Sequence, residues 1–298
     1  MKNYKLLFAV AVLLLGGCAG PEKRIDKTLE AVTAAQKAKD MPAFEGLAGK
    51  IPDAYLEPER LAAYPRETLT SLCTALWKIA FFTPDSEANA LKMEKAVKEK
   101  VRRGIFDTDD IERMYSTLLN ARLFDKASEL QERFPAIITE KLPEIVVPEP
   151  APTGNWLAYE LSSDVKTARL RSLRLHRGAH MIMAMMPGCG VSARAVREIM
   201  GDPALGPLFE AGTVLVTRRF DAAGVTETKA ATGLERVYIA RKSADFPGVN
   251  LMTSPWIFFL KDGKVVSDMR GWADEGAHSL KRLRRGMQEI GLKPPPAY

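Results

Sequence analysis

The sequence has few of the residues that staple or metallate a fold. Three cysteines in 298 residues exclude a disulfide scaffold, and the three scattered histidines, His176, His180 and His278, provide no zinc or iron cluster. Past the first apolar run no stretch approaches the 18 or so apolar residues of a membrane-spanning helix. A surplus of one charge is also missing: 43 Lys and Arg against 37 Asp and Glu leave a formal +6, too little to argue for nucleic acid. What remains is ordinary globular material, 46% hydrophobic and 27% charged. That composition excludes disordered, collagen-like and multi-span membrane classes. The length is about twice a typical domain of roughly 150 residues, so two domains are expected.

The N-terminus carries Lys2 and Lys5 ahead of an apolar stretch of ten residues, Leu6–Leu15. A bilayer needs about 20 residues in a helix, so this stretch reads as an export signal rather than an anchor. It runs into Leu15-Gly16-Gly17-Cys18, which resembles the lipobox of bacterial lipoproteins. The resemblance implies cleavage after residue 17 and a lipid on Cys18, with acyl chains contributing about 0.8 kcal/mol per buried CH₂. Ala19 stands where an Asp would hold such a protein in the inner membrane. The expectation is an outer-membrane lipoprotein facing the periplasm, attached to the membrane through Cys18.

From Ile25 to about Leu142 apolar residues recur at three and four spacing, broken by Pro42, Pro52, Pro65, Pro84 and Gly104. This predicts an all-α domain over residues 18–141. Its helices fall near Ile25–Lys39, Arg66–Phe82, Ser86–Arg103, Asp109–Arg122 and Phe124–Phe134. The last two weakly resemble one tetratricopeptide unit, with no second copy at that period. Residues 142–155 hold four prolines and read as a semi-rigid linker. Beyond it the texture is α/β. Strands are expected at Trp156–Leu161, His180–Met185, Thr213–Phe220, Trp256–Leu260 and Lys264–Asp268, the last two joined by an Asp262-Gly263 turn. Helices are expected at Cys189–Met200 and Ala277–Ile290, with a short one around Asp164–Leu173. Breaks at Ala222-Ala223-Gly224 and Ala230-Ala231-Thr232-Gly233 read as an inserted loop or hairpin over Asp221–Asn250.

A buried strand leading into a cysteine at a helix start, a further parallel strand, a Pro-initiated hairpin and a closing helix together resemble the thioredoxin-like fold, here over residues 156–298. The most specific segment is Thr253-Ser254-Pro255-Trp256-Ile257-Phe258-Phe259, where that family places a cis-proline opposite its active cysteine. The second is Met186-Pro187-Gly188-Cys189-Gly190-Val191-Ser192. The resemblance implies a mixed central sheet flanked by helices and a site made of Cys189, Ser192, Ser254 and Pro255. Cys189 would be a thiolate favoured by the helix N-terminus, Ser192 its hydrogen-bond donor, and Pro255 with the Ser254 backbone the aligner of an extended substrate.

This chain departs from the family pattern in four ways. Ser192 replaces the resolving cysteine, Gly188 the preceding tryptophan and Met183 the buried acid, and about 65 residues separate Cys189 from Pro255. A second register also fits, with Met186 at the nucleophile position and Cys189 as the buried partner.

Cys73 shares a helical stripe with Leu69, Leu72 and Leu76 and reads as a core residue. Two basic clusters, Arg169, Arg171, Arg174 and Arg177, and Lys281, Arg282, Arg284 and Arg285, read as solvated faces. The alternative for them is anionic headgroups or an acidic partner. Met181, Met183, Met185 and Met186 offer thioethers to Cu(I), but the first three share one strand face and read as core filling. Two functions follow. One is a monothiol redox protein acting on protein or glutathione disulfides. The other is a non-catalytic module that docks an envelope protein or peptide. Neither requires a bound cofactor.

Overall fold

The computed structural model describes residues 20–293; Cys18 and the apolar stretch before it lie outside the described residues. The chain divides into two compact units, Met1–Thr117 and Leu118–Tyr298.

The described part of the first unit is helical: α1 (Pro21–Ala38), α2 (Ala43–Ala48), α3 (Pro58–Ala63), α4 (Arg66–Phe82), α5 (Glu87–Arg102) and the beginning of α6 (Thr108–Asn120). Proline sets several starts, Pro58 inside the first turn of α3 and Pro65 as the N-cap of α4, where a missing N–H costs nothing. Ser86 caps α5 by accepting from Asn89 N. The α4 stripe of Leu69, Leu72, Cys73, Leu76 and Ile79 is buried, and α4 packs on α1 and α5. Lys100 and Asp110 form an ion pair in this interior.

The second unit holds the end of α6, then α7 (Phe124–Arg133), and an eight-stranded mixed sheet. The strands are β1 (Glu144–Val146), β2 (Leu157–Leu161), β3 (Thr167–Ser172), β4 (Ala179–Ala184), β5 (Thr213–Thr217), β6 (Val237–Ala240), β7 (Trp256–Lys261) and β8 (Lys264–Arg270). Their order is β1-β3-β2-β6-β5-β4-β7-β8. β4 lies parallel to β5 and β5 to β6, while β7 runs antiparallel to β4 and β8 to β7. Between them run α8 (Gly190–Gly201), α9 (Gly206–Gly212) and α10 (Ala222–Thr232), and α11 (Gly276–Glu289) follows β8.

Both faces of the central strands are buried, as the near-continuous apolar runs of β4, β5 and β7 require. Ile182, Ala184, Val214, Val216, Phe258 and Leu260 point into one core with Trp156 and Phe246. The alternate residues, Met181, Met183, Leu215 and Phe259, are equally buried on the other side. There α11 meets β7 through a glycine: a Cβ on Gly286 would lie 2.2 Å from the Phe259 ring. Asp262 and Gly263, with φ of 50° and 73°, make the expected tight hairpin between β7 and β8.

Four expectations are corrected. Residues 164–173 form a turn and then strand β3 (Thr167–Ser172), not a helix. Thr167-Ala168-Arg169-Leu170-Arg171 alternates with period two, placing Ala168 and Leu170 inside and Arg169 and Arg171 in solvent. Residues 221–250 are no inserted loop but a β-α-β crossover, α10 and then β6. The supposed breaks are its caps: Asp221 accepts from Gly224 N, and Gly233 ends the helix at φ 70°.

The Pro-rich linker contributes β1, which pairs with β3 through Glu144↔Thr167. The division between units falls inside α6 and not at residues 142–155, because residues 118–141 are tied to the sheet. The Arg122 guanidinium donates to Arg218 O at 2.8 Å and Ala240 O at 2.6 Å, and Asn120 Oδ1 accepts from Phe220 N at 3.1 Å. Phe124 packs edge-on against Tyr159 and Phe220.

Candidate functional site

Strand β4 carries the chain to one end of the sheet, where Met185 N still bonds to Val216 O at 3.0 Å on the next strand. There Met186-Pro187-Gly188-Cys189 turns into α8. Gly188 takes φ 75°, which a side chain would strain, and Cys189 N closes the turn on Met186 O at 3.1 Å. Cys189 is the N-cap residue of α8, with its carbonyl accepting from Ala193 N at 3.0 Å. The sulfur therefore stands where the unpaired N–H groups of a twelve-residue helix converge. That position at the helix start is the one expected of Cys189 as the first residue of the motif, and Ser192 follows three residues later.

Ser192 is buried, and its Oγ lies 2.6 Å from Ser254 Oγ. Ser254 comes from the loop before β7 and accepts from Met186 N at 2.9 Å; its peptide bond to Pro255 is cis. The contribution of Ser254 is thus its hydroxyl, where sequence reasoning assigned only its backbone. Each hydroxyl has one proton to donate. With Ser254 donating to Ser192, the Ser192 proton is available to the Cys189 sulfur.

Burial raises the Cys189 thiol, but polar groups of Ser192 (hydroxyl, then N–H), the Ser254 hydroxyl and Val191 N–H outweigh it. The net direction is downward from the ordinary thiol value, toward thiolate. Cys73 shows the opposite behaviour: burial pushes its thiol up to about 12, against a smaller downward pull from Lys100. Both thiols are free.

Beside Cys189 opens a cavity of about 170 Å³ between α8 and α10. Met183, Met185 and Leu215 of the sheet, Val196 of α8, and Thr228 and Ala231 of α10 line it. Helix α10 approaches the cysteine turn closely, since a Cβ on Gly224 would fall 2.4 Å from Pro187 Cβ. Sequence reading missed this wall because it missed α10. Asp221 and Gly233, a residue that caps and a glycine that ends a helix, were the available signal.

Arg169, Arg171, Arg174 and Arg177 are exposed, as are Lys281, Arg282 and Arg285. Met181 is buried outside the cavity lining, while Met183, Met185 and Met186 belong to it. Among the described residues no group of three or more His, Cys, Asp or Glu is placed to hold a metal ion, and no helix is long and apolar enough to cross a membrane.

No family model matches the sequence, and no curated protein does. Among solved structures the chain is similar to a thioredoxin-like protein from Bacteroides caccae ATCC 43185. The identity is 10% and the TM-score 0.32, with 78% of this chain and 86% of that one covered.

Proposed function

We propose that the second unit is a thioredoxin-like domain working with one cysteine, and that the protein is a monothiol redox lipoprotein of the outer membrane that acts on protein or glutathione disulfides. The observation that carries this reading is the convergence of Cys189, Ser192 and Ser254 at the start of α8, with the sulfur displaced toward thiolate. In the reaction the Cys189 thiolate attacks one sulfur of a partner disulfide. A Cys189–partner disulfide forms, the other partner sulfur leaves as thiolate, and that thiolate takes a proton from water. Ser192 cannot resolve the product, so a second thiol, from glutathione or from the partner, must attack to restore Cys189.

The cysteine that would complete a dithiol pair is a serine engaged with Ser254, and this favours a second reading in which the fold is a docking surface without exchange chemistry. Intact mass and non-reducing gels of protein taken from the envelope, with Cys189→Ala as control, decide between them. Glutathione or protein adducts on Cys189 support exchange, whereas a free thiol that resists alkylation in the folded protein leaves the docking module. Palmitate labelling lost on Cys18→Ala tests the anchor, and label retained in that variant, or mature protein free in the periplasm, overturns it.

A further inference from the structure

We propose that the cavity beside Cys189 is a side-chain pocket that selects disulfides in which an apolar residue flanks the partner cysteine, in preference to glutathione or acidic sequences. The inference rests on the monothiol reading and names its substrate class. Three features of the cavity carry it.

The first is size. A cavity of about 150 Å³ lined by apolar side chains takes benzene, and this one measures about 170 Å³, enough for one aromatic or branched aliphatic side chain. The second is lining. Met183, Met185, Leu215 and Val196 are each at most 5% exposed and form its floor, and thioethers repack readily around varied apolar shapes. The third is charge. Among the lining residues the single ionisable group besides Cys189 is Glu227, and no Lys, Arg or His contributes. Glutathione and acidic peptides would bring carboxylates to a wall that offers them no cation and one like charge.

The rim points to a polypeptide as the source of that side chain. Val191, two residues after Cys189, is 41% exposed, and Gly188 and Gly190 on either side of the cysteine carry no side chain that would hold a backbone off. A partner chain can therefore lie across the thiol and drop its neighbouring side chain between α8 and α10.

The test uses mixed disulfides of nitrothiobenzoate with N-acetyl-Cys-Phe-amide, with N-acetyl-Cys-Glu-amide and with glutathione. In each, the Cys189 thiolate attacks the peptide sulfur, the probe's S–S bond breaks, and nitrothiobenzoate leaves with the electron pair and is read by absorbance. Every rate is divided by the same protein's iodoacetamide rate and by the probe's rate with free N-acetylcysteine, which removes differences in thiol reactivity. The Phe probe should react about tenfold faster than the other two, the gain expected from burying one large apolar side chain.

Ala231→Trp, at an exposed position of α10, should fill the pocket and bring the ratio close to one. Glu227→Lys should shift the ratio toward the Glu probe and glutathione. Equal wild-type rates, or a Phe preference that neither variant moves, overturn the pocket while leaving the monothiol reading intact. Failure of Cys189 to exchange with any of the three probes overturns the monothiol reading, and the pocket with it.

Discussion

Cys73 sits inside α4 with Leu69, Leu72 and Leu76 on its stripe, every backbone group around it already spent on the helix, whereas Cys189 stands one residue ahead of α8, where the backbone donors are still free. The first thiol is pushed up to about 12 by burial and the second is drawn down by the hydroxyls and N–H groups of Ser192, Ser254 and Val191 despite burial. Burial without donors raises one thiol, whereas a place at a helix start, among free N–H groups and hydroxyls, lowers the other despite burial. The same atom type serves packing in one unit and, on the proposed function, chemistry in the other.

The largest effect that can break this comparison is the ratio of alkylation rates. At pH 8 a thiol titrating near 12 is thiolate on the order of once in 10⁴ molecules, so peptide mapping after iodoacetamide should find Cys189 modified long before Cys73. Equal rates under native conditions would remove the distinction. The two thiols should also pull stability in opposite pH directions. The folded value of Cys73 lies above its unfolded value of 9.0. Its contribution is therefore full below about pH 9 and lost as pH rises toward 12. The folded value of Cys189 lies below 9.0, so its contribution is present above that pH and lost as pH falls through the folded value.

Next in size is the anchoring of residues 118–141 to the sheet. Arg122→Ala would leave the buried carbonyls of Arg218 and Ala240 without their guanidinium partner. The expected cost is about 2–4 kcal/mol, summed over two buried acceptors. The urea midpoint should fall accordingly, while Arg133→Ala, at an exposed position of α7, should leave it unchanged. A midpoint unmoved in Arg122→Ala would return the unit boundary to the Pro-rich segment.

Elements with a strong local signature were legible in the sequence. The Asp262-Gly263 hairpin, the apolar β4 and β5, and a cysteine at a helix start declare themselves within a few residues. Helix α10 did not, because it buries only Ala222, Gly224 and Val225 and is otherwise alanine, threonine and charge, with no apolar stripe to show a period of 3.6. Strand β3 was mistaken for a helix because its arginines flank single apolar residues. The Ser254 hydroxyl could not be read at all: its partner Ser192 is 62 positions away, and only the pairing of β7 with β4 brings them together.

A smaller effect follows from α10. Gly224→Ala places a Cβ 2.4 Å from Pro187 Cβ and 2.5 Å from Asp221 Oδ2, and so forces the helix off the cysteine turn. Overpacking typically costs about 1–3 kcal/mol, partly offset by about 1 kcal/mol from the better helix preference of alanine. A net loss of up to about 2 kcal/mol in urea denaturation is expected, together with an altered exchange rate at Cys189 and unchanged protection of Cys73. Loss of protection at Cys73 would mean that the two thiols are not independent.

The smallest effect in stability is the sharpest in chemistry. Ser192→Ala removes one hydroxyl bonded to Ser254 and should cost about 1 kcal/mol, the usual worth of a single intramolecular hydrogen bond. The same change deletes the largest of the influences that lower the Cys189 thiol, so the midpoint of its alkylation rate against pH should move up. Ser254→Ala should also move it up, but by less, because the direct influence of Ser254 on the sulfur ranks below both contributions of Ser192. It should destabilise more, since Met186 N loses its acceptor as well. If the hydroxyls act as the chain Ser254 to Ser192 to sulfur, the double variant should shift the midpoint by less than the sum of the two single shifts, because removing Ser192 already disconnects Ser254. Additive shifts would show two independent donors, and no shift in either variant would leave the helix N-terminus as the whole origin of the downward pull on Cys189.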